Sequence, residues 1–473
     1  MDSQEANVRM DESENPSGAG STPSSGGDTS HLLARLDRIP VWPYRYSLLV
    51  IIGAGYFFAF FDIVTIGYAM PVISEQFNVS TAAVSASITS SLIGYIIGAY
   101  ADSTIGDIWG RRLSLAISVG LFSVGTLVAA FSQNVPWLVA WRFIAGLGIG
   151  AEIAAVTTFI GELSPAPLRG RFTSWATTAA YAGFAVVPFV SLWLVPNYSW
   201  GWRALFVIGA LGGLTILFMR RGLQESPRWL LARDRVDEAK KLVSAAEERA
   251  RQRLGGELPP PAATAEEVPT RSFPTLVLLR PPYLWRVILF IAIWFTYYIG
   301  NYGWLDLAPS LLVSYGYDLK HSITFLLWSG IGFLVGAFAT TLFSDRIERK
   351  FSLVTIAIVW GIILLIIGLF PASSTMIEVF GFLASTTIGL LVPMLYTLTA
   401  EHFSTRARAT GVALTDGLGH LGAALAPYFI LGVHGRWGFV GALGLMAVTG
   451  WVTAALLLLS ARATGKSLEN VSQ

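Results

Sequence analysis

Apolar runs of about 20 residues recur along almost the whole chain, and a helix of that length is what crosses the hydrocarbon core of a bilayer. In hydrocarbon each backbone N–H and C=O must be satisfied within its own segment, so such runs fold as helices. Flanking Gly, Pro and polar clusters place them near residues 46–73, 83–101, 113–132, 136–160, 172–195 and 202–219. A second set falls near 284–313, 322–343, 351–370, 375–400, 408–432 and 437–460. The sequence therefore predicts an all-α membrane protein of twelve transmembrane helices. Charged residues make up only 13% of the 473, against about 25% in soluble domains, and 53% are hydrophobic. That composition excludes a disordered chain, a disulfide scaffold and an ordinary soluble enzyme. With no cysteine there is no thiolate metal site and no thiol nucleophile, and a net charge of +2 implies no nucleic-acid partner.

The few charges are unevenly placed. Arg111, Arg112, Arg169, Arg171, Arg346, Arg349, Lys350, Arg406 and Arg408 fall in connections on one side, together with Arg220, Arg221, Arg228, Arg233, Lys240 and Lys241 of a long central loop. The opposite connections offer little beyond Lys320 and Arg436. Basic loops stay in the cytoplasm, so both termini are expected there. Residues 1–44, rich in Ser, Gly, Asp and Glu, read as a disordered cytoplasmic tail. Residues 45–220 form a first six-helix bundle, 221–283 a cytoplasmic loop, 284–460 a second bundle and 461–473 a short cytoplasmic tail. Within the loop, 225–254 alternates acid and base at helical spacing and predicts one solvated amphipathic helix. A Pro-rich flexible segment, 255–270, follows it.

The two bundles repeat each other. Gly98 precedes Asp107, with Gly110-Arg111-Arg112 behind it, and Gly336 precedes Asp345 at the same interval, with Arg346, Arg349 and Lys350 behind it. Glu162 and Arg169 return as Glu401 and Arg408. Recurrence at 238 or 239 residues indicates a duplicated six-helix unit. GDIWGRR (106–112), RFIAGLGIG (142–150), GELSPAPLRGR (161–171), QESPRWL (224–230) and the closing ATGKSLENVS (463–472) then carry a resemblance. From about residue 45 to 470 the chain resembles the major facilitator superfamily, in the branch shared by sugar porters, metabolite–proton symporters and organic-ion transporters. The resemblance implies two six-helix halves that give alternating access to a central cavity. Outward loops this short, unlike the large first loop of animal organic-ion carriers, point to the plasma (inner) membrane of a prokaryote. Asn78-Val-Ser80 and Asn197-Tyr-Ser199 fit a glycosylation pattern too short to outweigh that.

Two clusters at the cytoplasmic helix ends are expected to act as gates. Asp107, Arg111 and Arg112 with Glu162 and Arg169 form one, and Asp345 and Arg346 with Glu401 and Arg406 the other. Such ion-pair networks stabilise one conformation and loosen in the next. The same charges serve positive-inside topology and helix-end capping, and both roles can hold together.

An ionisable side chain at mid-bilayer costs about 2.5–3.5 kcal/mol on insertion scales, so each one needs a reason. Asp62 lies in helix one, Arg142 and Glu152 in helix four, and Asp416 with His420 in helix eleven; Asp306 is a fifth site if helix seven is still buried there. In proton-coupled members of the resembled branch a first-helix Asp and the fourth-helix Arg form the coupling pair, and Asp62 and Arg142 occupy those positions. The alternative is a static pair that ties the two helices together. Glu152 lies ten residues after Arg142, close to three turns on, and can be a second proton site or a solute ligand. Gly146, Gly148 and Gly150 read as close helix packing, since they lie inside a span with no preceding strand.

Asp416 and His420 are four apart and share a helix face. Organic-ion transporters carry a charge-reading residue seven positions before the proline, here Pro427, and His420 departs from both the Arg of anion carriers and the Asp of cation carriers. Histidine titrates near physiological pH, so His420 can sense protons, read a carboxylate or simply buttress its helix. Tyr297, Tyr298, Asn301 and Tyr302 cluster around Gly300 and Gly303 of helix seven, and Tyr396 adds an aromatic from helix ten. Gly-interrupted helices near the midplane typify substrate sites. The paired glutamines of sugar porters are missing from helix seven.

These readings define a secondary active transporter: proton-coupled symport of a small polar organic solute, an organic acid or related metabolite. Asp62, Arg142 and Glu152 are the proton-coupling candidates; Tyr297, Tyr298, Asn301, Tyr302, Tyr396, Asp416 and His420 are the solute-site candidates. Sugar or polyol symport, and export or facilitated passage of organic cations or drugs, stay open, because Asp62, Glu152 and Asp416 outnumber Arg142 and His420. The expected partners are the solute, protons and the bilayer, with the chain a monomer. No cofactor beyond the proton gradient, no metal and no enzymatic activity are expected.

Overall fold

The computed structural model describes residues 25–165, 168–261, 278–281, 283–343, 348–403 and 408–461. Its helices are α1 (Ser25–Asp37), α2 (Tyr46–Gln76), α3 (Thr81–Trp109), α4 (Arg111–Ala129), α5 (Val135–Leu163), α6 (Arg169–Leu194), α7 (Gly201–Met219), α8 (Pro227–Ala232) and α9 (Val236–Leu254). After the loop come α10 (Tyr283–Tyr315), α11 (Leu319–Phe343), α12 (Arg349–Leu369), α13 (Ser374–Glu401) and α14 (Arg408–Leu458). Among the described residues, 11 helices are long and apolar enough to cross a membrane. The last of them, α14, is two spans joined at Gly438, where φ 63° and ψ −160° break the helix. All twelve expected spans are present.

Local chemistry sets their ends. Ser80, Asn134 and Ser373 each accept from the N–H three residues on, at 3.2, 2.9 and 3.3 Å, as N-cap residues do. Gly110, at φ 103°, joins α3 to α4 in a single residue, a conformation that strains any side chain. Helix α10 runs unbroken past Gly300, Gly303 and Pro309.

Packing reproduces the sequence repeat. In the first half α2 lies on α6, α3 on α5, and α4 on α5 and α7; in the second α10 lies on α14, α11 on α13, and α12 on α13 and α14. Equivalent glycines permit equivalent approaches. A Cβ on Gly98 would strike Leu147 O of α5, and one on Gly336 would strike Thr386 O of α13. Gly146 and Gly150 meet the Ser91 and Tyr95 carbonyls of α3, while Gly148 meets α4 at Ser118 and Phe122. Small residues at helix contacts are how spans pack in lipid, which is the role expected for these three.

The halves meet through α2 with α10, α6 with α11 and α3 with α14. Thr89 Oγ1 donates to Ala424 O at 2.7 Å, Tyr181 stacks on Phe333 at 6.3 Å, and a Cβ on Gly67 would sit 2.5 Å from Asp306 O. By their positions along the spans, these contacts lie at mid-bilayer or on the side away from the basic loops.

The amino-terminal segment departs from the disordered tail expected over 1–44. Residues 1–24 lie outside the described residues, but α1 is a helix packed on α9. Leu32 and Leu33 are buried with Trp229, Leu230 and Ala239, and Leu36 with Val243. Arg35 and Arg38 bind Glu247 at 2.7 and 2.6 Å, and Arg228 binds Asp37 at 2.7 Å. A short apolar stripe inside a Ser/Gly-rich stretch gains its partner only once the central loop folds beneath it. That loop also differs from one solvated helix: it breaks at Asp234 (φ 59°) into α8 and α9, and α9 buries Val243, Ala246 and Ala250.

Burial pushes the Glu247 carboxyl up, yet the hydrogen bonds from Arg35 and Arg38 prevail and hold it below the usual carboxylate range. A carboxyl lowered on folding adds stability above its unfolded pKa and loses it as pH falls through the folded value. The α1 strap should therefore loosen in acid. At neutral pH, Glu247→Gln should speed tryptic cleavage after Arg35 and Arg38; cleavage at the native rate would show that Glu247 does not hold the strap.

Candidate functional site

Five helices of the first half converge on one buried pair. Asp62 of α2 and Arg142 of α5 are each 1% exposed and joined Oδ2 to Nη1 at 2.7 Å. Thr126 of α4 donates to Asp62 Oδ1 at 2.9 Å, and Arg142 Nη2 lies 3.4 Å from both Asp62 O and Ser91 Oγ of α3. The Phe206 ring of α7 covers the guanidinium at 5.6 Å. Arg142 Nε is buried without a partner. The duplication stops here, because the positions 238 residues after Asp62 and 239 after Arg142 are Gly300 and Gly381. This charged pair belongs to the first half alone.

Between the halves lies a cavity of about 10 Å³, room for about one water. Ser91, Tyr95 and Arg142 line it from the first half, Tyr302 and Asp306 from the second. An organic solute does not fit this space, so helices or side chains must part to admit one. Asp306 lies inside the protein rather than at a helix end: it is 2% exposed and its Oδ1 has no hydrogen-bond partner.

The expected aromatic wall forms in the second half and only partly reaches the cavity. Tyr298 OH donates to Asp416 Oδ1 at 2.6 Å, and His420 Nδ1 lies 2.9 Å from Asp416 O. The imidazole sits between the Tyr95 ring at 4.4 Å and the Tyr298 ring at 4.1 Å, so Tyr298, Asp416 and His420 form a unit that touches the first half. Tyr302 is 6.0 Å from the imidazole and lines the cavity. Tyr396 packs on Trp294 at 4.6 Å. Tyr297 packs on Trp294 and Trp360, and Tyr297 OH and Asn301 Oδ1 are buried without partners.

Glu152 is held in a buried pair of its own. It is fully buried and paired with Arg220 of the short turn Arg220–Gly222, through an Nη1–Oε2 bond of 2.9 Å and a second bond from Nη2 to Oε1. Ser118 Oγ donates to the same carboxylate at 2.6 Å. Arg220, assigned to the solvated loop from sequence, is in fact 2% exposed. Arg220 and Ser118 occupy both Glu152 oxygens, so Glu152 meets a solute only after this pair opens.

Three residues of the cluster expected to gate the first half meet. Arg111 binds Asp107 at 2.8 Å and Glu162 at 2.9 Å. Arg169 Nε instead donates to Gly161 O at 3.1 Å, and the Arg112 N–H lies 3.3 Å from Glu225 Oε2. In the second half Glu401 pairs with Arg349, the repeat mate of Arg111; Asp345, Arg346 and Arg406 of the expected cluster lie outside the described residues. Sequence reasoning missed Glu225, which accepts from the Arg111 N–H at 3.0 Å at the start of α4. It also missed Asp102, buried and bonded by Ser114 Oγ. Only the position of Glu225 within QESPRWL signalled the former.

Two six-helix halves, a buried charged pair and a water-sized cavity between them describe a membrane carrier. The chain belongs to the Major Facilitator Superfamily, whose model matches residues 52–427 and, in a second match, 324–472. It is a multi-pass membrane transporter and not an enzyme. It is 28% identical over 450 residues to the niacin transporter NiaP of Acinetobacter baylyi, covering 93% of this chain and 99% of that protein. It is also 28% identical over 438 residues to the 4-hydroxybenzoate transporter PcaK of Pseudomonas aeruginosa, covering 89% and 93%. Among solved structures, the xylose transporter XylE of E. coli in a partially occluded inward-open conformation shares the fold, with TM-score 0.73 at 21% identity over 89% of this chain and 99% of that one.

Proposed function

We propose that this chain imports a small organic acid together with a proton. The buried Asp62–Arg142 pair beside the cavity carries that reading. In a dry interior the Asp62 charge needs compensation, and either the guanidinium or a proton supplies it. When Asp62 takes a proton, Arg142 is released towards the cavity and can hold a solute carboxylate through charge-assisted hydrogen bonds. When the solute leaves, Arg142 returns to Asp62 and the proton departs. One proton with each carboxylate keeps the charges of this pair compensated throughout the cycle. The solutes named for NiaP and PcaK, niacin and 4-hydroxybenzoate, are aromatic carboxylic acids and support an acid as cargo.

Around that pair, Tyr302 and the Tyr298–Asp416–His420 unit supply aromatic and polar lining, with Glu152–Arg220 as a second pair that opens during the cycle. Arg111 with Asp107 and Glu162, and Arg349 with Glu401, brace the basic helix ends of each half. The basic loops and both termini face the cytoplasm of a bacterial inner membrane, and the chain works as a monomer.

Proteoliposomes holding the purified chain and buffered one pH unit above the medium test this. Labelled 4-hydroxybenzoate or nicotinate should accumulate about tenfold, the value of one pH unit for one proton per solute, and an uncoupler should abolish it. Equal uptake with and without the gradient would mark a facilitator, and outward movement against solute an exporter.

A further inference from the structure

Asp306 lines the cavity together with Arg142, yet the proton exchange above makes no use of it. Its burial is nearly complete and its Oδ1 is unpartnered. The other buried carboxylates among the described residues differ: Asp62 is held by Arg142 and Thr126, Glu152 by Arg220 and Ser118, Asp102 by Ser114, and Glu247 by Arg35 and Arg38. The backbone that carries Asp306 is fixed as well. A Cβ on Gly67 would lie 2.5 Å from Asp306 O and 2.8 Å from its Cα, so the α2 and α10 backbones are already in contact. An unpaired polar group in the interior is destabilising, and one held against a cavity wall calls for an occupant that supplies the missing partner.

We propose that Asp306 is a specificity-determining residue, accepting a hydrogen bond from a donor (hydroxyl, ring N–H or ammonium) on the end of the solute remote from Arg142. The solute class is then an organic acid that also carries a donor group, and a plain monocarboxylate is disfavoured. The acid end of this description rests on the symport reading above; the donor end stands on Asp306 alone.

Ligand-induced thermal stabilisation of the purified full chain tests it with two matched pairs, benzoate against 4-hydroxybenzoate and benzamide against 4-hydroxybenzamide. The hydroxylated member of each pair should bind about tenfold or more tighter, as one hydrogen bond to a buried charged group implies. Asp306→Leu should bring both ratios to within about twofold, because the acceptor is gone; the ratio within each pair, not the absolute affinity, is what is read. Asp306→Asn keeps an acceptor without the charge and should retain part of the preference; if the Leu variant does not fold, an undiminished ratio in Asp306→Asn overturns the proposal. Equal affinities within each pair in the native chain, or a ratio that survives Asp306→Leu, also overturn it. If the organic-acid reading is wrong, the carboxylates fail while the amide pair still reports the donor preference. Binding of neither pair defeats both.

Discussion

Asp62→Asn is expected to abolish gradient-driven accumulation and to leave solute counterflow running. The amide keeps the shape of the carboxylate: its single oxygen can accept from Arg142 while its NH2 turns to Thr126 Oγ1. What it lacks is a site for an exchangeable proton. At one pH unit the native chain should concentrate solute about tenfold, while the variant should stop at equal concentrations on the two sides. Counterflow needs only the exchange of loaded carriers and should persist. Full gradient-driven uptake by Asp62→Asn would remove Asp62 from the coupling step.

Arg220→Ala should give the largest loss of stability of any change considered. Its guanidinium is the ion-pair partner of a fully buried Glu152 and also donates to Leu115 O at 2.5 Å. Deleting one member of such a pair leaves an uncompensated charge in the interior, typically about 3–5 kcal/mol. Replacing both members by apolar residues, as in Glu152→Leu with Arg220→Leu, removes that charge and should recover much of the loss. Thermal unfolding in detergent reads this directly. A single variant as stable as the native chain, or a double variant no better than the single, would contradict the buried-pair account.

The fold was readable because lipid leaves the backbone few options. Runs of apolar residues bounded by Ser80, Asn134 and Gly110 give the span ends, and the spacing from Gly98 to Gly336 gives the duplication. Asp62 and Arg142 stood out because charge inside an apolar run is rare. The partner of Glu152 did not, since Arg220 sits at the end of its span and looks like any other basic loop residue. Asp306 was ambiguous for a related reason: sequence gives position along a helix but not what covers it, and here the cover is Gly67 of another half. Helix α1 was hidden because its apolar residues are few, and only tertiary contact with α8 and α9 makes them count.

The one-sided meeting of the halves has a consequence for regulation of flux. With α2 on α10 and α3 on α14 in contact at mid-bilayer and beyond, a solute arriving from the side away from the basic loops can enter only after these contacts part. Their stability therefore sets the energetic cost of each opening on that side, and so bounds the turnover of the carrier.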